Sequence, residues 1–278
     1  MNPDFPLWLR ATHLLNFVLI GMLLRSGWEM LSSLPRLWWS NDCAPGKEWL
    51  KFTRRELPEE EGVYPSLMDE RSLSPLIALP GRENIGLGRH WHGLSVMLWV
   101  LNGAVYVTLL FATGLWRRLV PTSWDVFPEA WDSLTTYFSL SVPAIEHFTP
   151  YDSLQMLGYS FVVFVLAPFM MLTGVAMAPA IRSRYPWFVK MWGGHQGARS
   201  LHFIGMVMMS GFIVVHVSLV FLVHTEHNVV HMVFGDVETG RIAQALVILV
   251  ATVVAVIVFW IALSYWTLAD RARAHGLL

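Results

Sequence analysis

The chain has 278 residues, of which 55% are hydrophobic and only 14% charged, against about 25% charged in an average soluble domain. That composition, with a mean hydropathy of +0.49, sets it apart from soluble enzymes. Lys and Arg total 19 against 20 Asp and Glu, for a net charge of -1. No long basic run exists to neutralise phosphates, which excludes nucleic acid as a partner. One cysteine, Cys43, excludes an intrachain disulfide, a four-cysteine zinc site and an iron–sulfur cluster held by this chain alone. Tryptophan is abundant, at 14 residues, and tryptophan anchors helices at membrane–water interfaces.

A helix needs about 20 mostly apolar residues to cross the hydrocarbon of a bilayer. The first candidate runs from about residue 8 to 31, interrupted only by Arg25 and Glu29, four apart on one face near its interfacial end. It reads as a span and not as a cleaved signal peptide, because it has neither a basic leader nor a small-residue cleavage site. Residues 32–89 form a polar connection carrying Pro35, Pro45, Pro58, Pro65, Pro75 and Pro80, expected as a small extramembrane lobe. Charge-free windows at 90–116, 153–181, 200–225 and 242–269 then predict spans at about 90–114, 154–178, 201–225 and 243–268. Between the second and third, the uncharged piece from Ser133 to Ile145 is too short to cross and contains Pro143, so it is expected to lie at the interface. The expected fold is an all-α integral membrane protein, a five-span transmembrane helical bundle forming a single domain over 1–278. Its termini lie on opposite sides. We call the N-terminal side A and the other side B.

Eleven histidines in such a chain need a reason, since polar groups in the apolar layer face a cofactor, a cavity or a partner helix. His13 lies just inside the first span at side A. His92 and His202 lie just inside the second and fourth at side B. His216 follows His202 by fourteen residues, which is about 40° short of four full helical turns, so both rings project from one face about 21 Å apart. Depth then pairs His92 with His202 and His216 with His13. Each site supplies two protein ligands. That suits a b-type haem with two axial histidines, whereas structural zinc wants four ligands. The metal ligands are expected to be His13, His92, His202 and His216, in a four-helix dihaem core. The alternative is that these histidines bond to one another's helices and hold nothing.

Arg10, Arg89 and Arg199 each precede a proposed ligand by three residues, on the same face and nearer the headgroups. Arginine binds carboxylates in bidentate fashion, so these three are candidate partners for haem propionates, with interfacial anchoring as the alternative. Gly93, Gly103 and Gly205 would let a macrocycle approach the backbone. His90 competes with His92 but points elsewhere on the helix. His195 is read as a loop residue without a ligand role. His224, His227 and His231 share a rough face near side A, which reads as a wet helix end more than a metal site, with a proton-handling role beside a quinone as a further possibility. The methionines of "FMMLTGVAMAP" and "GMVMMSG" read as core packing.

The segments "WLRATHLLNFVLIGMLLRSG", "GRHWHGLSVMLWVLNGAVYV", "LAPFMMLTGVAMAPAI" and "GGHQGARSLHFIGMVMMSGFIVVHVSLV" resemble the bacterial cytochrome b561 superfamily. Within it, the chain is most similar to the cytochrome b (gamma) subunits of thiosulfate reductase, nickel–iron hydrogenase and formate dehydrogenase. The resemblance covers nearly the whole chain, and its most specific piece is the fourth span. It implies that His13 and His216 ligate one haem b and His92 and His202 the other. It further implies a quinone or menaquinone pocket beside the side A haem. A redox partner, a molybdopterin or similar catalytic subunit, would dock on side B. The implied location is the bacterial inner membrane, in which the chain is multi-pass. His195 departs from the family's usual "GGRQ" loop, and the family core has four spans, which leaves the fifth without a role.

Two criteria for orientation disagree. Side A carries Arg10, Arg117, Arg118 and Arg241 against fifteen basic residues on side B, which by the positive-inside rule puts side B in the cytoplasm. Resemblance puts it in the periplasm. The 58-residue connection also holds nine acidic residues, and we follow the resemblance. The expected function is that of a dihaem b membrane-anchor subunit passing electrons between the quinone pool and a partner oxidoreductase. The alternatives are a stand-alone dihaem quinol oxidase or ferric reductase, and a haem-free transporter or scaffold. The latter has no inverted repeat or pair of broken helices to support it.

Overall fold

A computed structural model describes residues 5–56, 71–139, 152–223, 225–235 and 239–275. Five helices are long and apolar enough to cross a membrane. They are α1 (Leu7–Ser33), α2 (Ile85–Ala112), α4 (Ser153–Met177), α7 (Gly194–Leu222) and α9 (Ile242–Ala274). Large apolar side chains on all five remain exposed, among them Leu14, Met97, Val165, Val214 and Val247. In water such a surface would aggregate. Facing lipid it needs no cover, and a helix already satisfies its own backbone groups there.

α1 lies against α2, and α4 against α7. The first contact is sealed by polar groups. Glu29 Oε1 accepts from the backbone N–H of Asn84, just ahead of α2, at 2.7 Å. Gly88 is what lets Glu29 in, since a Cβ there would stand 2.7 Å from Glu29 Cγ. Arg25 and Glu29 share a helix face but take separate partners. The Arg25 guanidinium donates to the carbonyls of Pro75 (2.6 Å), Ala78 (3.2 Å) and Trp260 (2.5 Å) and to Ser264 Oγ (3.0 Å). This fastens the fifth long helix to the first. Trp260 completes the joint: its indole fills the space a Cβ on Gly21 would occupy, and its Nε1 donates to Val18 O at 3.0 Å.

The connection after α1 forms a small hairpin, β1 (Arg36–Leu37) antiparallel to β2 (Leu50–Lys51), with Arg36 opposite Lys51. A buried ion pair, Arg36 to Glu48 at 2.8 Å, ties it together. The hairpin sits on the side B end of α7. There Ser200 Oγ donates to Trp38 O at 2.6 Å and Trp49 Nε1 donates to Ser200 Oγ at 2.8 Å.

α3 (Val126–Phe138) begins upstream of the uncharged piece that suggested an interfacial helix. The part of that piece from residue 140 onward, Pro143 included, lies outside the described residues. α3 leaves Phe127, Trp131 and Phe138 exposed, as a helix lying in the headgroup layer would. Asp152 caps α4 by accepting from the Gln155 N–H at 2.7 Å. Inside α4, residues Val162–Leu166 form a π-helical segment. Pro168 follows, and it has no N–H for the regular ladder; a widened turn beside it absorbs the mismatch. Two short helices, α5 (Pro179–Arg184) and α6 (Pro186–Met191), lead to α7. α8 (Thr225–Phe234) packs on α9 through Val229, Val230 and Ala245.

α7 starts at Gly194, ahead of the charge-free window, because Gly193 and Gly194 (φ +77° and +82°) make the entry turn. His195 therefore stands in the first turn of a helix and not in a loop, and Arg199 lies within the helix.

Candidate functional site

α1 and α7 bring His13 and His216 together near side A, with ring centroids 6.1 Å apart and planes at 74°. α2 and α7 bring His92 and His202 together near side B, at 6.4 Å and 69°. Two imidazoles bound on opposite sides of one metal ion, each through a bond of roughly 2 Å, hold their centroids roughly 6 Å apart. Both pairs therefore have the spacing of ligands to a single shared ion. Among the described residues no group of three or more His, Cys, Asp or Glu side chains is gathered as a metal site. Two nitrogens per site with the rest left open fit an iron already held by a macrocycle.

The side B pair is hydrogen-bonded from behind. His92 Nδ1 lies 3.0 Å from Ser26 Oγ, and His202 Nδ1 lies 2.9 Å from Thr173 Oγ1. Each hydroxyl also donates to a carbonyl one turn back, Ser26 to Met22 O at 2.7 Å and Thr173 to Phe169 O at 2.9 Å. The side A pair is held by rings: Phe212 stacks on His216 at 5.7 Å and 8°, and Tyr159 meets it edge-on at 5.9 Å.

His90, the competitor of His92, is exposed and lies against Trp91. The three arginines differ. Arg199 donates to the carbonyls of Arg36 (2.6 Å) and Leu34, and Arg10 donates to Val233 O at 2.7 Å. Arg89 is exposed and makes no hydrogen bond among the described residues. The glycines differ too. Beside Gly93 and Gly103 the space is open, but a Cβ on Gly205 would strike Met170 Sδ and stand 3.0 Å from Phe169. Gly205 is thus a close contact between α7 and α4 and not an open approach.

The reading of a wet histidine cluster at side A changes as well. His231 is buried, 4% exposed, against Phe5 (5.5 Å) and His227 (6.2 Å); His224 lies outside the described residues. What sequence reasoning missed is Ser26 and Thr173. Each stands directly before a glycine within a membrane-spanning helix, and that was the available signal.

The sequence profile of the prokaryotic cytochrome b561 family matches residues 4–235, which takes in all four histidines and stops short of α9. The chain belongs to that family. It is accordingly a multi-pass membrane protein that binds haem b and transfers electrons. A curated relative from Azospira oryzae, described as a protein-methionine-sulfoxide reductase subunit, YedZ1, is 27% identical over 220 residues, covering 78% of this chain and 90% of its own length. No solved structure gave a significant match.

Proposed function

We propose that the chain is a dihaem subunit of a bacterial inner-membrane complex, carrying electrons between the quinone pool and a catalytic oxidoreductase partner of the molybdopterin type. The observation that carries this reading is the pair of histidine pairs, 6.1 and 6.4 Å between ring centroids, with one member of each on α7. A haem b in each pair supplies a one-electron couple. His13 and His216 hold the side A group, and His92 and His202 the side B group. Arg89, with its guanidinium exposed, is the best placed of the three arginines to meet a propionate at side B. The partner's class is supported by the relative's description as a reductase subunit. A membrane-soluble quinone reaches the side A pair from the lipid, beside the interfacial helix α3.

The test is a dithionite-reduced minus oxidised spectrum of the purified chain with pyridine haemochrome quantitation. Two b haems per chain are expected. One would mean that one pair is misassigned, and none from a folded, haem-supplied preparation would overturn the proposal. Co-purification of a catalytic subunit is expected as well; quinol oxidation by the isolated chain with no partner needed would favour the stand-alone enzyme.

Side B, in this reading, faces the periplasm and the partner. Cys43, the single cysteine, lies on that side, so a membrane-impermeant maleimide should label it in intact spheroplasts. Burial raises its thiol pKa, and Asp42 adds to this against the lowering by Arg199. Less thiolate is present at neutral pH than for a free cysteine, so labelling should accelerate steeply as pH rises. Labelling only after permeabilisation would put side B in the cytoplasm.

A further inference from the structure

The side B imidazoles share a support that the side A imidazoles lack. Ser26 and Thr173 sit on different helices, α1 and α4, and each is followed by glycine. Each hydroxyl meets Nδ1 of a histidine on the neighbouring helix, Ser26 that of His92 on α2 and Thr173 that of His202 on α7. Each glycine lies beside the same ring, at ordinary contact distance. A Cβ on Gly27 would stand 3.9 Å from His92 Cε1, and one on Gly174 would stand 3.5 Å from His202 Cε1. Ser26 and Thr173 are both fully buried, at 0% exposure. Neither His13 nor His216 makes a side-chain hydrogen bond among the described residues.

A hydroxyl has one proton, and both hydroxyls direct theirs to a carbonyl of their own helix. What each offers the imidazole is a lone pair. In that arrangement Nδ1 carries the ring proton, the tautomer that leaves Nε2 with its lone pair free for a metal. A hydrogen bond accepted from Nδ1–H fixes the tautomer and the ring rotation and makes Nε2 a stronger donor.

We propose that the Ser26 and Thr173 hydroxyls are a matched pair of ligand-positioning elements. They act on the side B centre alone, fixing its ring planes and lowering its reduction potential relative to the same ligands without them. The inference rests on the haem reading above. Ser26 and Thr173 are positioning residues, since they touch the ligands and not the iron.

The experiment is a redox titration of the purified full chain, with low-temperature EPR of the oxidised form, on Ser26→Ala, Thr173→Val and the double variant. Either single variant should keep two haems. Each should raise the midpoint of the same one of the two components, easing its reduction by about three- to tenfold, where tenfold is 59 mV for one electron. The other component should not move. EPR should show the matching low-spin signal shift as its ring rotation is freed. Thr173→Ser and Ser26→Thr, which keep the hydroxyl, should titrate like the parent chain.

Three outcomes would overturn the proposal: neither component moves, both move alike, or the two variants move different components. If Thr173→Val loses a haem, retention of both by Thr173→Ser supports the hydroxyl's role, and loss by both variants refutes it. A parent chain without haem sinks the haem reading and this inference together. Two haems with unmoved potentials sink this inference only.

Discussion

His216→Ala should yield a protein with one haem where the parent has two, and the surviving component should be the one that Ser26→Ala and Thr173→Val shift. Among the described residues the imidazole that faces His216 is that of His13, at 6.1 Å, and removal of His216 leaves the proposed side A haem a single protein ligand. His202→Ala should do the converse, leaving the side A component. The complementary variants His13→Ala and His92→Ala should reproduce the losses of their partners. This cross-pattern is stricter than a haem count, because it requires two residues far apart in sequence to abolish the same signal. His90→Ala is the control: its exposed ring lies against Trp91, so both haems should remain. Retention of two haems by either His202→Ala or His216→Ala would refute the pairing.

The largest loss of stability should come from Arg25→Met. The guanidinium is 8% exposed and serves three carbonyls and one hydroxyl contributed by the 73–80 segment and by α9. Net hydrogen bonds to a charged group contribute about 1.5–3 kcal/mol each. They share one donor and do not add, so the expected cost is about 3 kcal/mol or more. It should appear as an earlier midpoint in denaturation from mild detergent into sodium dodecyl sulfate, with α9 becoming protease-sensitive first. Arg25→Lys should rescue little, since an ammonium cannot fork across separated acceptors. An unchanged midpoint in Arg25→Met would show that the joint between α1 and α9 is held by Trp260 alone.

Much of the bundle could be read from charge-free windows, because the bilayer imposes a length and a polarity that any spanning segment must obey. The histidine pairs could be read for a related reason: depth in a membrane is a coordinate the sequence carries directly, and His202 and His216 share one helix. What resisted reading depends on contacts between segments remote in sequence. Arg25 looked like an interfacial charge, but its acceptors are Pro75, Ala78, Trp260 and Ser264, and nothing local announces them. Arg10 and Arg199 fell in a regular three-residue spacing before histidines, yet both guanidiniums reach backbone carbonyls, of Val233 and of Arg36 and Leu34. Ser26 and Thr173 drew no notice despite the glycine after each, because a hydroxyl in an apolar helix ordinarily does no more than bond its own preceding turn. Here each does that and also lies within hydrogen-bond distance of a neighbouring histidine's Nδ1. Gly205 misled in the other direction, since small residues serve close helix packing as readily as cofactor access.

Because α7 carries one imidazole of each pair, the spacing between the pairs is written into the covalent rise of a single helix, fourteen residues at 1.5 Å each. Other helices can breathe, tilt or swell in detergent, and each pair will tighten or slacken across its own gap. The distance from one pair to the other stays put. In the proposed dihaem reading, where electron hopping falls off steeply with separation, this fixed spacing would keep the rate between the two haems steady while the surrounding bundle flexes. Loosening the bundle should therefore cost occupancy at one end or the other before it changes the pace of transfer between them.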